Sequence, residues 1–447
     1  MISTNSSHPA TKHPDFVPGL LVVKIKKDAV ANAPDLRRAS VAALKSFGLP
    51  SALEESFAHL HRKRLIKEVV PVFAPAAPAG IRRRVALTAA VALATSVREP
   101  KDETLQGINL LRLSPAADLA RLEKNLKGSP GIEYCHRVPA RWPAGARAKA
   151  TSADPLVNRQ WGLRAIRWFD TNPLPDARQV KVAVLDTGID DGHPELQSAV
   201  AGYIHDGSSA ADIIGHGTHV SGIIAADPDN HIGIAGICRC RLHVWKIFGH
   251  EPAPDGKYYV DELMYLRALN AARASGMQVM NLSIGGTQHS RTEETLFRNL
   301  VGAGVTVVAA MGNEFEEGNP IEYPGAYPGV VAVGATNEVN NRAPFSNTGS
   351  RIALCAPGTN ILSTLPRQPS AARGADETNY AAWSGTSMAT PHVTAGATLV
   401  LAAHPDFSPN RVADRLKSSA ARLPGMGNRK RTREYGSGLL DLKKAVA

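Results

Sequence analysis

The chain has 447 residues, 43% of them hydrophobic, with 38 Gly and 31 Pro, which excludes one small domain and points to two or three domains built with many tight loops rather than long helices. Lys and Arg outnumber Asp and Glu by 51 to 40, but the excess sits in HRKRLIK (61–67), IRRR (81–84) and RKRTR (429–433). No nucleic-acid-binding motif surrounds these runs, so they read as solvated basic loops and no nucleic-acid partner is expected.

In chain order, residues 1–14 read as disordered. MISTNSSHPATKHPDF has no apolar core and is no secretory signal; as it stands the chain reads as cytoplasmic, and as secreted only if its start lies elsewhere or export is non-standard. VPGLLVVKIKK (17–27) predicts a strand and DLRRASVAALKSF (35–47) an amphipathic helix. RRRVALTAAVALATSV (82–97) is signal-like but too short in its apolar run for a bilayer span, so a packed helix and no membrane span are expected. GINLLRLS (107–114) predicts a second strand. Ser114 and Pro115 then open a helix with Leu119, Leu122 and Leu126 on one face and Gly128 at its end, before a third strand in GIEYCHRV (131–138). Together these form a small α+β domain over residues 1–150, with a basic Ala- and Pro-rich insertion at about 48–105. PARWPAGARAKATSADP (139–155) has linker composition and holds the boundary to a second domain, 151–447.

Beyond it the pattern changes. VKVAVLDTG (180–188), LHVWKIFG (242–249), VMNLSIGG (279–286), VTVVAAMGN (305–313) and VVAVGAT (330–336) are nearly continuous apolar runs, and helical segments such as DELMYLRALNAARASG (261–276) separate some of them. Strands apolar on both faces predict an α/β fold with a mostly parallel central sheet flanked by helices. Function in such sheets gathers at the carboxyl ends of the strands. The four cysteines, Cys135, Cys238, Cys240 and Cys355, are too few for a disulfide scaffold. Their C-x-C spacing suits neither zinc nor a thioredoxin-type site, which leaves buried free thiols.

Polar residues stand where those strands end. Asp186 closes the first run. His216 follows Gly215 in GHGTHVSGIIAA (215–226), Asn313 follows VVAAMG, and Ser387 in WSGTSMATPHVTAG (383–396) follows Gly385 at the start of an apolar helix. A hydroxyl there is either a cap or a nucleophile, since helix N-termini favour developing negative charge. With a histidine base, an orienting carboxylate and an amide for an oxyanion, the set reads as a Ser-type acyl-transfer site. Other readings fit less well. His216 and His219 form H-x-x-H without the intervening Glu of a zinc helix. Asp186-Thr187-Gly188 has no second D-T-G for an aspartic protease. In an α/β-hydrolase the acid and histidine would follow the serine.

VAVLDTGIDDGHPEL, GHGTHVSG, VMNLSIGG, AAMGNE, EYPGAYPGVVAVGAT, GTSMATPHVTAG and YGSGLLDLKKAV closely resemble, in order, the motifs of the subtilase family of serine endopeptidases, over roughly residues 155–447. The chain order Asp, His, Ser is also that of subtilisin. The resemblance implies a subtilisin-like fold preceded by a propeptide-like domain that aids folding and inhibits. It makes Asp186 the triad carboxylate, His216 the base, Ser387 the nucleophile and Asn313 the oxyanion donor. It makes Ser283, Ile284 and Gly285 one wall of the substrate cleft and Ala310, Met311 and Gly312 the other. A mainly hydrophobic side chain is expected before the scissile bond, with Glu314 admitting a basic one. Protein or peptide substrates and the chain's own N-terminal region are the expected partners, the latter cut off by Ser387. No cofactor is expected for the chemistry. A structural calcium on Glu195, Asn230 and the carbonyls of Ile232 and Ile234 is implied, with a polar loop that satisfies itself as the alternative. A non-enzymatic binding module of the same fold would lack one of the four site residues, and all four are present.

Overall fold

The computed structural model describes residues 16–26, 66–72, 105, 107–114, 117–128, 131–139, 142–143 and 146–147, and 156–447 except 172, 206, 208, 229 and 373–376. The helices expected at 35–47 and 82–97 lie outside the described residues.

The N-terminal region contributes β1 (Phe16–Ile25), β2 (Ile66–Pro71), β3 (Ile108–Leu113), α1 (Leu119–Lys127) and β4 (Ile132–Pro139). These strands make an antiparallel sheet in the order β2-β3-β1-β4. Three of its strands fall on the apolar runs, whereas β2 comes from within the basic insertion. α1 begins four residues after Ser114-Pro115, because the Asp118 carboxylate accepts from the Arg121 N–H at 3.0 Å and supplies the N-cap. It ends at Gly128, as expected.

The second region follows with β5 (Trp142–Pro143), β6 (Ala146–Arg147), α2 (Trp161–Ala165), β7 (Lys181–Asp186), β8 (Val200–Ile204), α3 (His216–Ala225), β9 (Arg241–Lys246), α4 (Glu262–Ala274), β10 (Val279–Leu282) and β11 (Ile284–Gly285). After these come α5 (Arg291–Gly302), β12 (Thr306–Ala310), β13 (Val331–Thr336), β14 (Ile352–Pro357), β15 (Ile361–Thr364), β16 (Tyr380–Ser384), α6 (Thr386–Ala403), α7 (Pro409–Ser419) and α8 (Leu442–Val446). Seven strands form one sheet in the order β14-β13-β12-β10-β7-β9-β8, with every pair parallel. The strands that apolar runs did not reveal are its edges. β8 is only partly buried, and β14 ends in Pro357, which an edge strand tolerates. VMNLSIGG splits at Ser283, so that β10 stays in the sheet and β11 leaves it to pair with β5.

Alternation along β7 divides the core. Val182 and Val184 face Val220, Ile223 and Ile224 of α3 and Val393 and Val400 of α6. Ala183 and Leu185 face Tyr265, Leu266 and Leu269 of α4 and Leu296, Phe297 and Leu300 of α5. Val22, Ile108, Leu110 and Val138 of the N-terminal sheet join this second cluster, so that sheet covers α4 and α5. Polar contacts fix the docking: Tyr134 Oη lies 2.8 Å from Thr292 Oγ1, and Arg267 Nε donates to the Val72 carbonyl at 3.0 Å. No helix among the described residues is long and apolar enough to cross a membrane.

Candidate active site

Asp186 ends β7 and His216 begins α3. Gly215, the residue before the helix, has φ 86°, a left-handed conformation that glycine adopts without a steric penalty. Gly217 permits the close approach of helix and strand, since a Cβ there would fall 2.0 Å from the Gly188 carbonyl oxygen and 3.1 Å from Asp186 Cβ. The result is a buried hydrogen bond of 2.7 Å between His216 Nδ1 and Asp186 Oδ1. Asp186 Oδ1 also accepts from the Thr187 N–H at 2.8 Å.

Asp212 builds the turn beneath. Its Oδ1 accepts from Thr187 Oγ1 and the Gly215 N–H, both at 2.8 Å, and its Oδ2 accepts from the Thr218 N–H at 2.9 Å and Thr218 Oγ1 at 2.7 Å. A carboxylate on N–H groups of a helix's first turn suits the dipole as well as the hydrogen bonds. Sequence reading passed over Asp212; the signal was an acidic residue four positions before His216 in an otherwise apolar turn. His219 serves packing instead of metal binding. It is stacked on Trp383 with ring centroids 4.9 Å apart, and its Nε2 lies 3.1 Å from the Ala381 carbonyl oxygen. Burial lowers its pKa to about 3, so it is neutral.

Ser387 is the second residue of α6. Its Oγ donates to the Ser283 carbonyl at 2.9 Å, and Ser283 Oγ donates to the Ser387 carbonyl, also at 2.9 Å. Pro391 makes the second bond available, because it has no N–H to give the carbonyl four residues back in the helix. His216 Nε2 has no hydrogen-bond partner among the described residues, so it is open to take a proton. Asn313 Oδ1 accepts from the Thr386 N–H at 2.8 Å and Thr386 Oγ1 at 2.9 Å. Holding the oxygen in this way turns Nδ2, the donor side of the amide, away from Thr386.

Of the residues read as cleft walls, Ser283 to Gly285 and Ala310 to Gly312, Gly285 and Gly312 lie against the Glu322 carboxylate, with Asn347 Nδ2 donating to Glu322 Oε1 at 2.8 Å. Glu314 turns back, its Oε2 accepting from the Asn313 N–H at 2.7 Å. The linker runs here too. Pro143 and Trp142 pair antiparallel with Ile284 and Gly285, and Ala146 and Arg147 pair antiparallel with Ser384 and Trp383. The two pairings bracket Ser387.

Glu195, Asn230 and Ile234 do meet, but in an arrangement that does not fit a cation. Glu195 Oε1 accepts from the Ile234 N–H at 2.8 Å and Tyr380 Oη at 3.0 Å, Oε2 accepts from Asn230 Nδ2 at 2.8 Å, and Asn230 Oδ1 accepts from the Ile232 N–H at 2.9 Å. Calcium needs these oxygens directed at itself, whereas donor hydrogens occupy them. Burial raises the Glu195 pKa, and the Ile234, Asn230 and Tyr380 hydrogen bonds oppose that rise. Among the described residues no group of three or more His, Cys, Asp or Glu could hold a metal. Chelation by EDTA is therefore expected to leave the melting temperature unchanged, while Tyr380→Phe lowers stability by on the order of 1.5–3 kcal/mol, the worth of a hydrogen bond to a charged group. A calorimetric scan checks both.

The Subtilase family profile matches residues 177–438, more than half of the chain. Subtilisin E of Bacillus subtilis is 38% identical over 278 residues, covering 60% of this chain and 65% of that protein. Subtilisin of Bacillus pumilus is likewise 38% identical over 278 residues, covering 90% of its length, and M-protease of Shouchella clausii is 40% identical over 269 residues, covering 64%. The match thus spans just under two thirds of several of these relatives. Fervidolysin from Fervidobacterium pennivorans, a keratinolytic enzyme related to subtilisin, has the same fold, with a TM-score of 0.68 at 22% identity over 97% of this chain and 62% of that one.

Proposed function

The chain belongs to the subtilase family, and from that premise we propose that it is a serine endopeptidase that cuts peptide bonds through an acyl-enzyme on Ser387. The supporting observation is the 2.7 Å Asp186–His216 hydrogen bond, with the His216 ring stacked 6.4 Å from that of Trp383, four residues before Ser387. Ser387 Oγ swings from the Ser283 carbonyl to His216 Nε2 and gives up its proton as it attacks the substrate carbonyl. Asp186 holds Nδ1 and so keeps Nε2 the accepting nitrogen. Asn313 Nδ2 and the amides of the first turn of α6 meet the oxyanion. His216 then protonates the departing amine, and water, activated by the same imidazole, releases the acyl group. No cofactor takes part.

We further propose that residues 1 to about 150 act as a propeptide, holding the cleft until the chain cuts itself. The linker already pairs with the cleft on both sides of Ser387. Purified wild type is expected to yield a mature chain beginning near residues 140–157, read by N-terminal sequencing. An intact and fully active chain, or a start well away from residues 140–157, would contradict the propeptide reading.

A further inference from the structure

We propose that Trp383 is a positioning residue for the reaction: its indole face holds the His216 ring and favours the positive charge that this ring takes on as Ser387 gives up its proton. This rests on the peptidase reading above. The fold carries the indole there. Trp383 lies near the end of β16 and pairs with Ile361 of β15. β15 is fastened to α3 by Ser363 Oγ, which donates to the His219 carbonyl at 2.7 Å, and by Thr364 Oγ1, which donates to the Thr218 carbonyl at 2.8 Å. Gly222 makes room for both hydroxyls, since a Cβ there would fall 2.5 Å from Ser363 Oγ and 2.2 Å from Thr364 Oγ1. The hairpin therefore docks on the helix that begins with His216, and Trp383 stacks on two of its histidines. Its ring centroid lies 4.9 Å from that of His219 with 5° between the planes, and 6.4 Å from that of His216 with 25° between them. Trp383 is 4% exposed and His216 3%.

His219 fixes the plate. Its Nε2 lies 3.1 Å from the Ala381 carbonyl oxygen, and its flat contact sets the plane of the indole. Being neutral, it adds no charge to oppose one on His216. His392 of α6, beyond His219, is neutral as well, because burial lowers its pKa to about 4. The other titratable groups around His216 are Asp186 of β7, at Nδ1, and Asp212 in the turn before α3, while α6 also brings Ser387. Asp186 meets the imidazolium in the plane of its ring. The indole meets it face on, at the negative side of an aromatic quadrupole. That attraction is absent while the imidazole is neutral and present once it is charged, so it acts on the transition state rather than on substrate binding. A centroid distance of 6.4 Å stands at the outer limit of such contacts, so the expected effect is a few fold rather than orders of magnitude.

The test is the pH profile of kcat/KM for the processed protein on a peptide p-nitroanilide, which has no amino acid after the bond that is cut. Wild type, Trp383→Phe and Trp383→Leu are measured side by side. In Trp383→Leu the acid limb, set by protonation of free His216, is expected to move down by about half a pH unit and kcat to fall about fivefold, with KM within about twofold. Trp383→Phe keeps an aromatic face and is expected to stay closer to wild type in both. An acid limb that stays in place overturns the assignment, and so does one that moves up, as water entering beside the imidazolium would give, or a loss carried by KM. Proton NMR of the processed wild type reads the contact without a substitution and so decides even if a variant does not fold. The His216 ring protons are expected upfield of those of an exposed histidine, because they lie over the indole, and an ordinary shift overturns the assignment. No turnover by wild type overturns the peptidase reading and this one with it, whereas turnover with an unmoved limb overturns this one alone.

Discussion

Ser387→Ala is expected to leave the chain uncut at 47.5 kDa and to lower kcat on a peptide by about 10⁶-fold, the loss recorded for a subtilisin and carried over from it here. Without Oγ no acyl-enzyme forms, and His216 has no proton to take. The methyl group leaves the fold nearly untouched, because Ser283 Oγ donates to the Ser387 backbone carbonyl and not to its side chain. What the substitution removes is the hydrogen bond from Ser387 Oγ to the Ser283 carbonyl, at 2.9 Å. Electrophoresis of wild type and variant from the same expression checks the processing, and a fluorogenic peptide checks the rate. A variant cut at the same bond as wild type would assign maturation to another protease.

Asn313→Leu is expected to lower kcat by on the order of 10²- to 10³-fold with little change in KM, again the range known for a subtilisin and not one derived from this geometry. Only the transition state presents an oxyanion to the amide, so ground-state binding is spared. The structure adds a second effect. Leucine leaves the Thr386 N–H and Oγ1 without the acceptor they share in Asn313 Oδ1, which costs about 1–3 kcal/mol of stability. Steady-state kinetics and a urea titration separate the two effects, and an unchanged kcat would remove Asn313 from the mechanism.

Much of this site was legible in the sequence, for a physical reason. Asp186, His216, Asn313 and Ser387 each stand at the end of an apolar strand or the start of an apolar helix, flanked by glycines that allow close approach, so short motifs carry them. Asp212 and Glu322 were passed over. Their roles depend on what the fold places around them: Thr187 lies 25 residues from Asp212 and Asn347 lies 25 residues from Glu322, and neither residue interrupts a periodic pattern. The contacts of Glu195 were not legible either, because sequence places Glu195 and Asn230 near each other but cannot show that Tyr380, 185 residues away, donates to the same carboxylate. The central strands were legible as apolar runs. The edge strands were missed for different reasons: β8 is only partly buried, β14 is a short apolar run, buried throughout, that was passed over, and β2 was hidden in a basic stretch that reads as an insertion.

The most direct measurement of the central claim is fluorophosphonate labelling followed by peptide mapping. The reagent phosphonylates a serine only where a base removes its proton and donors stabilise the oxygen, which is the arrangement proposed for Ser387, His216 and Asn313. One label per chain on the peptide containing Ser387, absent from Ser387→Ala, is the predicted result. A label on another residue, or one that persists in the alanine variant, would contradict the account.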